Sequence, residues 1–254
     1  MASIKDRTGE TNYSYYGQLM TIVKYRNATD LDVMFEDGTV VEHKHYRNFV
    51  ERCIRNPNRP SVYNIGYIGI GEYNTINNRR AYDAWEKMFQ RCYSDKKYTN
   101  SRYMSYQKCE VDPAFYNFQL FCQWFNSNIW NDSCTVLDKD ILVKHNKIYS
   151  PDNCVLVDDR INCLFTFRNR ERGNCPLGVK YDNKTDKYIA QCNSFEGKRT
   201  FLGAFSTSED AFQCYKQYKE HVIKSVADDY KLRYSNFPDR LYEAMYKYSI
   251  DYDD

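Results

Sequence analysis

Apolar positions recur along this chain with two periods, and the changes of period mark its elements. Between Tyr16 and Pro57 they alternate with polar ones over Gln18 to Tyr25, Leu31 to Phe35 and Thr39 to His43, which predicts three strands. Asp37-Gly38 between the last two favours a two-residue hairpin turn, and a helical turn near Arg47 to Cys53 follows. Beyond a glycine-containing link, Ile65 to Gly71, the residues Ala81, Trp85, Met88, Phe89 and Cys92 fall at helical spacing. A second helix, roughly Phe115 to Trp130, places Phe118, Phe121, Cys122 and Phe125 in the same way, and Asp112-Pro113 marks its approach. Both stripes are read as core.

The second half predicts strand, loop, strand and short helix over Thr135 to Ile141, His145 and Asn146, Tyr149 to Val157, and Asp158 to Phe165. Three further strands follow, Gly178 to Tyr181, Tyr188 to Ser194 and Thr200 to Phe205. A helix opened by Ser208 then turns Ala211, Tyr215 and Tyr218 toward that sheet, and Arg240 to Tyr248 forms a last short helix. The expected class is α+β, in modules covering 1–60, 61–170 and 171–254.

Composition narrows this picture. Apolar residues at 42% and charged ones at 28% describe a folding chain rather than a disordered one. The 25 tyrosines suit nucleic-acid or protein contact, and equally reflect AT-rich coding DNA. Met1 to Gly9 is polar with no apolar run after it, and no stretch approaches a membrane span, so no membrane partner is expected. The ten cysteines include no C-x-x-C pair, so reduced, mostly buried thiols are expected rather than disulfides or a zinc site. A net charge of +2 excludes a nonspecific polycation, and any DNA affinity has to come from a local patch. Arg168, Arg170, Arg172, Lys180, Lys184, Lys187, Lys198 and Arg199 supply one against Glu171, Asp182, Asp186 and Glu196, while the tail from Glu209 is net acidic.

Tyr82 to Tyr93, Phe118 to Trp124, Leu137-Asp-Lys-Asp-Ile141, Asn146 to Cys154 and Ile161-Asn162 together resemble HNH-like proteins common in phages. The β-rich segment before them looks like a small SH3-like barrel, the N-terminal module often found with such proteins. The resemblance implies a ββα scaffold holding one divalent metal, magnesium or manganese, while a general base activates water against a phosphate. Asp138 and Asn162 match the metal-side positions, and Asn146 the asparagine that orients the base. Lys139 stands where the histidine base is usual, and an ordinary lysine is protonated near neutrality. That leaves Asp140 or His145 as the remaining candidates for a base and puts nuclease activity in doubt.

Gly178 to Tyr181, Lys187 to Gln191, Gly197 to Phe205 and Thr207 to Ala211 resemble the AP2-like DNA-binding domain of integrases and homing endonucleases. In that family a three-stranded sheet enters the major groove, and its outer side chains read base edges and hold phosphates. Here Lys180, Lys187, Gln191, Asn193, Lys198 and Arg199 match the outward set, with Tyr181 and Tyr188 flanking it. The combined reading is a duplex-DNA-binding protein of the homing-endonuclease-like kind, acting in the cytoplasm of an infected bacterium. The rival readings are a phage protein-interaction factor, either an inhibitor of host defence or a virion component with a host or phage protein partner, and a transcriptional repressor.

Overall fold

The computed structural model describes residues 5–99, 105–166 and 175–252; Arg168, Arg170, Glu171 and Arg172 of the basic stretch lie outside them. The chain is mixed α+β with several small sheets, and it divides into two compact units. One contains Met1–Asn78 and Pro113–Cys122, and the other Arg79–Asp112 and Gln123–Asp254. No helix among the described residues is long and apolar enough to cross a membrane.

In the first unit β1 (Thr11–Tyr13), β2 (Leu19–Asn27), β3 (Asp30–Phe35) and β4 (Val40–Lys44) pair in sequence order as an antiparallel meander. Period-two alternation sends Met20, Ile22, Leu31, Val33 and Phe35 to one side, where Phe49 of the short helix α1 (Tyr46–Val50) and Ile54 complete a core. At the far end of the β2–β3 hairpin, Arg26 forks onto Asp32 through two 2.8 Å bonds and reaches Asp30 at 3.0 Å. The same unit holds the link before residue 78 by one buried amide. Gln119 donates to the Ile68 and Tyr73 carbonyls and accepts the Tyr73 N–H.

In the second unit α2 (Arg79–Tyr93) buries the predicted stripe Ala81, Trp85, Met88, Phe89 and Cys92. The short helix α3 (Lys96–Thr99) and β5 (Glu110–Val111) follow, and then α4 (Phe118–Asn128), whose first residues belong to the other unit. Next come β6 (Val136–Asp138), β7 (Ile148–Tyr149), β8 (Val155–Val157) and α5 (Asp159–Leu164). The single strand expected over Tyr149 to Val157 is therefore two. Pro151 has no N–H to give a ladder, and the chain turns there, with the Cys154 N–H returning to the Ser150 carbonyl at 3.0 Å. This frees β7 to pair in parallel with β5, while β8 pairs antiparallel with β6.

The C-terminal sheet has the order β11-β10-β9, from β9 (Val179–Asp182), β10 (Lys187–Asn193) and β11 (Arg199–Phe205). Behind it runs α6 (Ser208–Arg233), about 39 Å long at 1.5 Å per residue, and α7 (Asp239–Lys247) follows. The cap of α6 is Thr207 rather than Ser208, because the Thr207 hydroxyl oxygen accepts the Asp210 N–H. Glu209 and Asp210 in its first turn and Lys231 and Arg233 in its last complement the helix dipole. Trp130 anchors the C-terminal end of α6 among Tyr230, Tyr234 and Phe237, with its indole N–H on the Leu156 carbonyl at 2.7 Å.

Candidate nucleic-acid interface

Strand pairing assigns each residue of the C-terminal sheet to a face. Ala190 and Cys192 of β10 are buried against α6, and Val179 opposite Ala190 is buried with them. Their neighbours in sequence therefore point the other way. Lys180 lies across from Ile189, Lys187 from Asp182, Gln191 from Phe201 and Asn193 from Arg199. Five of the eight residues predicted to touch DNA, Lys180, Lys187, Gln191, Asn193 and Arg199, thus share the face away from α6. Lys198 is exposed in the turn before β11. Tyr181 and Tyr188 oppose each other in register with Val179 and Ala190, on the helix side, with ring centroids 5.1 Å apart and the planes tilted by 52°. The Tyr181 hydroxyl donates to the Asp186 carboxylate, which raises the pKa of the phenol.

The alternation of β11 is broken at one point. Ala190 pairs with Gly203 but Gln191 pairs with Phe201, so Leu202 is the extra residue of a bulge. Phe201 is turned outward by it and is 64% exposed in the middle of the basic face. The sequence reading missed this residue, since an apolar side chain in a strand reads as core. Asp182 is the acidic member of the face; its carboxylate is occupied by the Thr185 hydroxyl at 2.8 Å and the Lys184 N–H at 3.2 Å, which lower its pKa.

The residues matched to the HNH pattern lie at the β6 end and in the loop beyond it. Asp138 closes β6, and its Oδ1 accepts the N–H groups of Asp140 at 2.7 Å and Ile141 at 2.8 Å. Desolvation raises its carboxyl above the usual range in spite of those bonds. Lys139 is 3% exposed. Its ammonium donates to both Asp140 oxygens at 2.6 Å and to the Asn146 carbonyl at 2.8 Å, and lies 5.9 and 5.8 Å from the Tyr106 and Tyr149 rings. Burial works against the charged amine, but the Asp140 carboxylate outweighs it and holds the Lys139 pKa above its ordinary value. A lysine so held stays protonated and does not act as a base.

Asn146 is equally occupied. Its amide donates to the Lys139 and Ile148 carbonyls at 2.8 and 2.7 Å, and its Oδ1 accepts from Ile148 N and Asn153. His145 is exposed, with a left-handed backbone at φ 62°, and Asn162 lies on α5, half-buried. The donor set fits a divalent ion poorly: one oxygen of the Asp138 carboxylate is taken up by two backbone N–H groups and the fixed Lys139 cation stands beside it. Among the described residues, the His, Cys and carboxylate groups close enough to share an ion are instead Asp30, Asp32 and His43 of the first unit. There the Arg26 guanidinium already bridges the two carboxylates, and its hydrogen bond leads in lowering the Asp32 pKa to about 2. None of the ten cysteines is joined in a disulfide, and six of them are buried.

No family model matches this chain, and no curated protein or solved structure matches it.

Proposed function

We propose that the chain binds duplex DNA through the outer face of β9, β10 and β11, and that it binds without cutting. The observation that carries this reading is the gathering of Lys180, Lys187, Gln191, Asn193 and Arg199 on the side of the sheet that α6 leaves uncovered. A narrow β-ribbon fits the major groove, where amide and guanidinium side chains can pair with base edges and an exposed phenyl ring such as Phe201 can meet thymine methyl groups. Lys180, Lys187 and Lys198 add phosphate contacts, so affinity should fall steeply with salt, with a log–log slope of about −3 to −4 if all four basic side chains are engaged.

The AP2-like and HNH-like resemblances stay part of this proposal, the first as the binding module and the second as a scaffold that no longer does chemistry. The buried Lys139 ammonium at the position of the base supports that division. The N-terminal meander is read in the same proposal as the SH3-like module.

The test is fluorescence anisotropy with labelled duplex from about 50 to about 300 mM salt. Wild-type protein should show the slope, and the Lys198→Ala, Arg199→Ala double variant should bind more weakly and with a shallower one. A salt-independent signal, or a double variant that binds as well as wild type, overturns the sheet contact. Incubating supercoiled and linear duplex with magnesium, manganese or chelator should leave strands intact. Metal-dependent nicking that is lost in Asp138→Ala would overturn the non-cutting half.

A further inference from the structure

Lys219 occupies a position in α6 that the apolar stripe should have filled. Phe212, Tyr215, Val222, Ile223 and Val226 surround it at helical spacing on the buried face, and Lys219 itself is 8% exposed. No hydrogen bond or ion pair joins its ammonium to a described residue, and its electrostatic neighbours are the thiols of Cys192 and Cys163. Burial accordingly lowers its pKa, the opposite of what Asp140 does for Lys139. A buried cation without a counter-charge costs several kcal/mol, roughly, and is seldom kept in a core without a use.

The amine borders a cavity of about 490 Å³. The cavity exists because β9 is short. It pairs with β10 from Lys187 to Ala190, the Gln191 N–H still reaches the Gly178 carbonyl at 2.9 Å, and beyond that point no described strand pairs with this edge of β10. Residues of both sheet faces and of the helix therefore reach one space. Lys219, Arg199, Gln191 and Asn193 border it, and none of these four side chains is hydrogen-bonded to another described residue. Leu177 and Tyr215 give it an apolar wall, and no carboxylate is among its described lining residues.

We infer that this cavity is a binding site for a phosphomonoester, with the phosphate received by Lys219 and Arg199 and the amides of Gln191 and Asn193, and the organic part lying against Leu177 and Tyr215. Two cations and the N–H groups of two amides can converge on an anion, and a dianion supplies a counter-charge that no described residue gives Lys219. The space far exceeds one phosphate group and falls within the usual range for small-molecule sites, about 300 to 1,000 Å³. The phosphate can come from a free small molecule such as a nucleotide or from the 5′ end of a DNA strand. The site does not depend on groove binding by the outer face, although Gln191, Asn193 and Arg199 serve both.

The test uses the full chain at constant ionic strength, with thermal unfolding and calorimetric titration. Inorganic phosphate, adenosine monophosphate, and short oligonucleotides with a 5′-phosphate or a 5′-hydroxyl are the probes, with chloride as control. Wild type should gain stability saturably with phosphate and bind at least one of the larger phosphomonoesters more tightly. Adenosine monophosphate as the tightest ligand assigns a free nucleotide. A 5′-phosphorylated strand that outbinds both it and the hydroxyl strand assigns a DNA end. Lys219→Met should unfold at a higher temperature than wild type without phosphate, because it removes a buried charge, and should lose the phosphate response. Arg199→Gln, exposed and safe for folding, should weaken phosphate about tenfold. No saturable phosphate effect in wild type, or an undiminished one in Arg199→Gln or Lys219→Met, overturns the site. Duplex binding by Lys219→Met with the wild-type salt slope separates this result from the fate of the groove-binding reading.

Discussion

The Tyr230 hydroxyl, near the end of α6, donates to Asp158 Oδ2 at 2.6 Å, while the other oxygen of the same carboxylate receives the Ile161 N–H at 2.8 Å that begins α5. One buried acid thus caps one helix and ties down another. Tyr230→Phe leaves half of that carboxylate without its donor, and the expected loss is about 1–3 kcal/mol in urea unfolding. Burial and the bond to Asp158 raise the Tyr230 pKa. A raised folded pKa means that the stabilisation is complete below the ordinary tyrosine pKa and fades only as pH climbs through the higher folded one. The difference between wild type and Tyr230→Phe should therefore be constant from neutrality to about pH 9.

Acid should weaken the β2–β3 hairpin. The Asp32 pKa, lowered from 3.8 to about 2, places its stabilisation above the unfolded value and removes it as pH falls from 3.8 toward 2. The pairing is worth up to about 2 kcal/mol, less a share for water around the partly exposed Arg26. Asp32→Asn should unfold earlier than wild type at neutral pH, and the two melting curves should converge near pH 2.

Lys139→Ala should destabilise by about 2 kcal/mol, because it strips the Asn146 carbonyl of a donor and empties the space between Tyr106 and Tyr149. Asp140 has a half-exposed side chain and is rehydrated. Lys139→Met, which keeps the volume, should lose less. A loss for Met equal to that for Ala in thermal unfolding would show that the charge rather than the packing matters.

Phe201→Ala separates folding from binding. The side chain is 64% exposed, so unfolding free energy should change by no more than about 0.5 kcal/mol. Duplex affinity should fall by several-fold under the proposed groove contact, and an unchanged affinity would remove Phe201 from it.

Gly178 has φ +73°, and a Cβ there would stand 2.0 Å from the Tyr215 ring. Gly178→Ala therefore meets backbone strain and a clash with the side chain that backs the sheet, and about 2 kcal/mol or more should be lost. A melting temperature equal to wild type would mean that Tyr215 can move aside.

Local pattern carried much of this architecture. The stripe of α2, the strands of the meander and the three strands before α6 follow from residues that each unit buries, so period and burial agree. The elements that the pattern missed are those without a side-chain signature. β1 is three residues, Thr11-Asn-Tyr13, with little apolar content, and β5 and β7 are two residues each and exist by pairing with each other across the sequence. Lys219 was visible as a lysine on an apolar stripe but carried no meaning until the short β9 left a cavity beside it. The faces of β10 were readable by alternation, whereas that of Phe201 was not, since nothing local announces a bulge.

That bulge has a consequence for chain length. From Phe205 back to Gly203 the strand is in step with the helix-facing rows of β10, and from Phe201 back to Arg199 it is in step again only because Leu202 is skipped. Leu202 acts as a phase correction, so its deletion should leave Arg199 and Phe201 facing outward on a straighter strand. Losing Thr200 instead would put Arg199 out of step with Asn193 unless the bulge were taken up elsewhere. Two neighbouring single-residue deletions, alike in composition and cost by length, would on this basis part company: one conserves the face presented to a partner, and the other turns its arginine toward the helix.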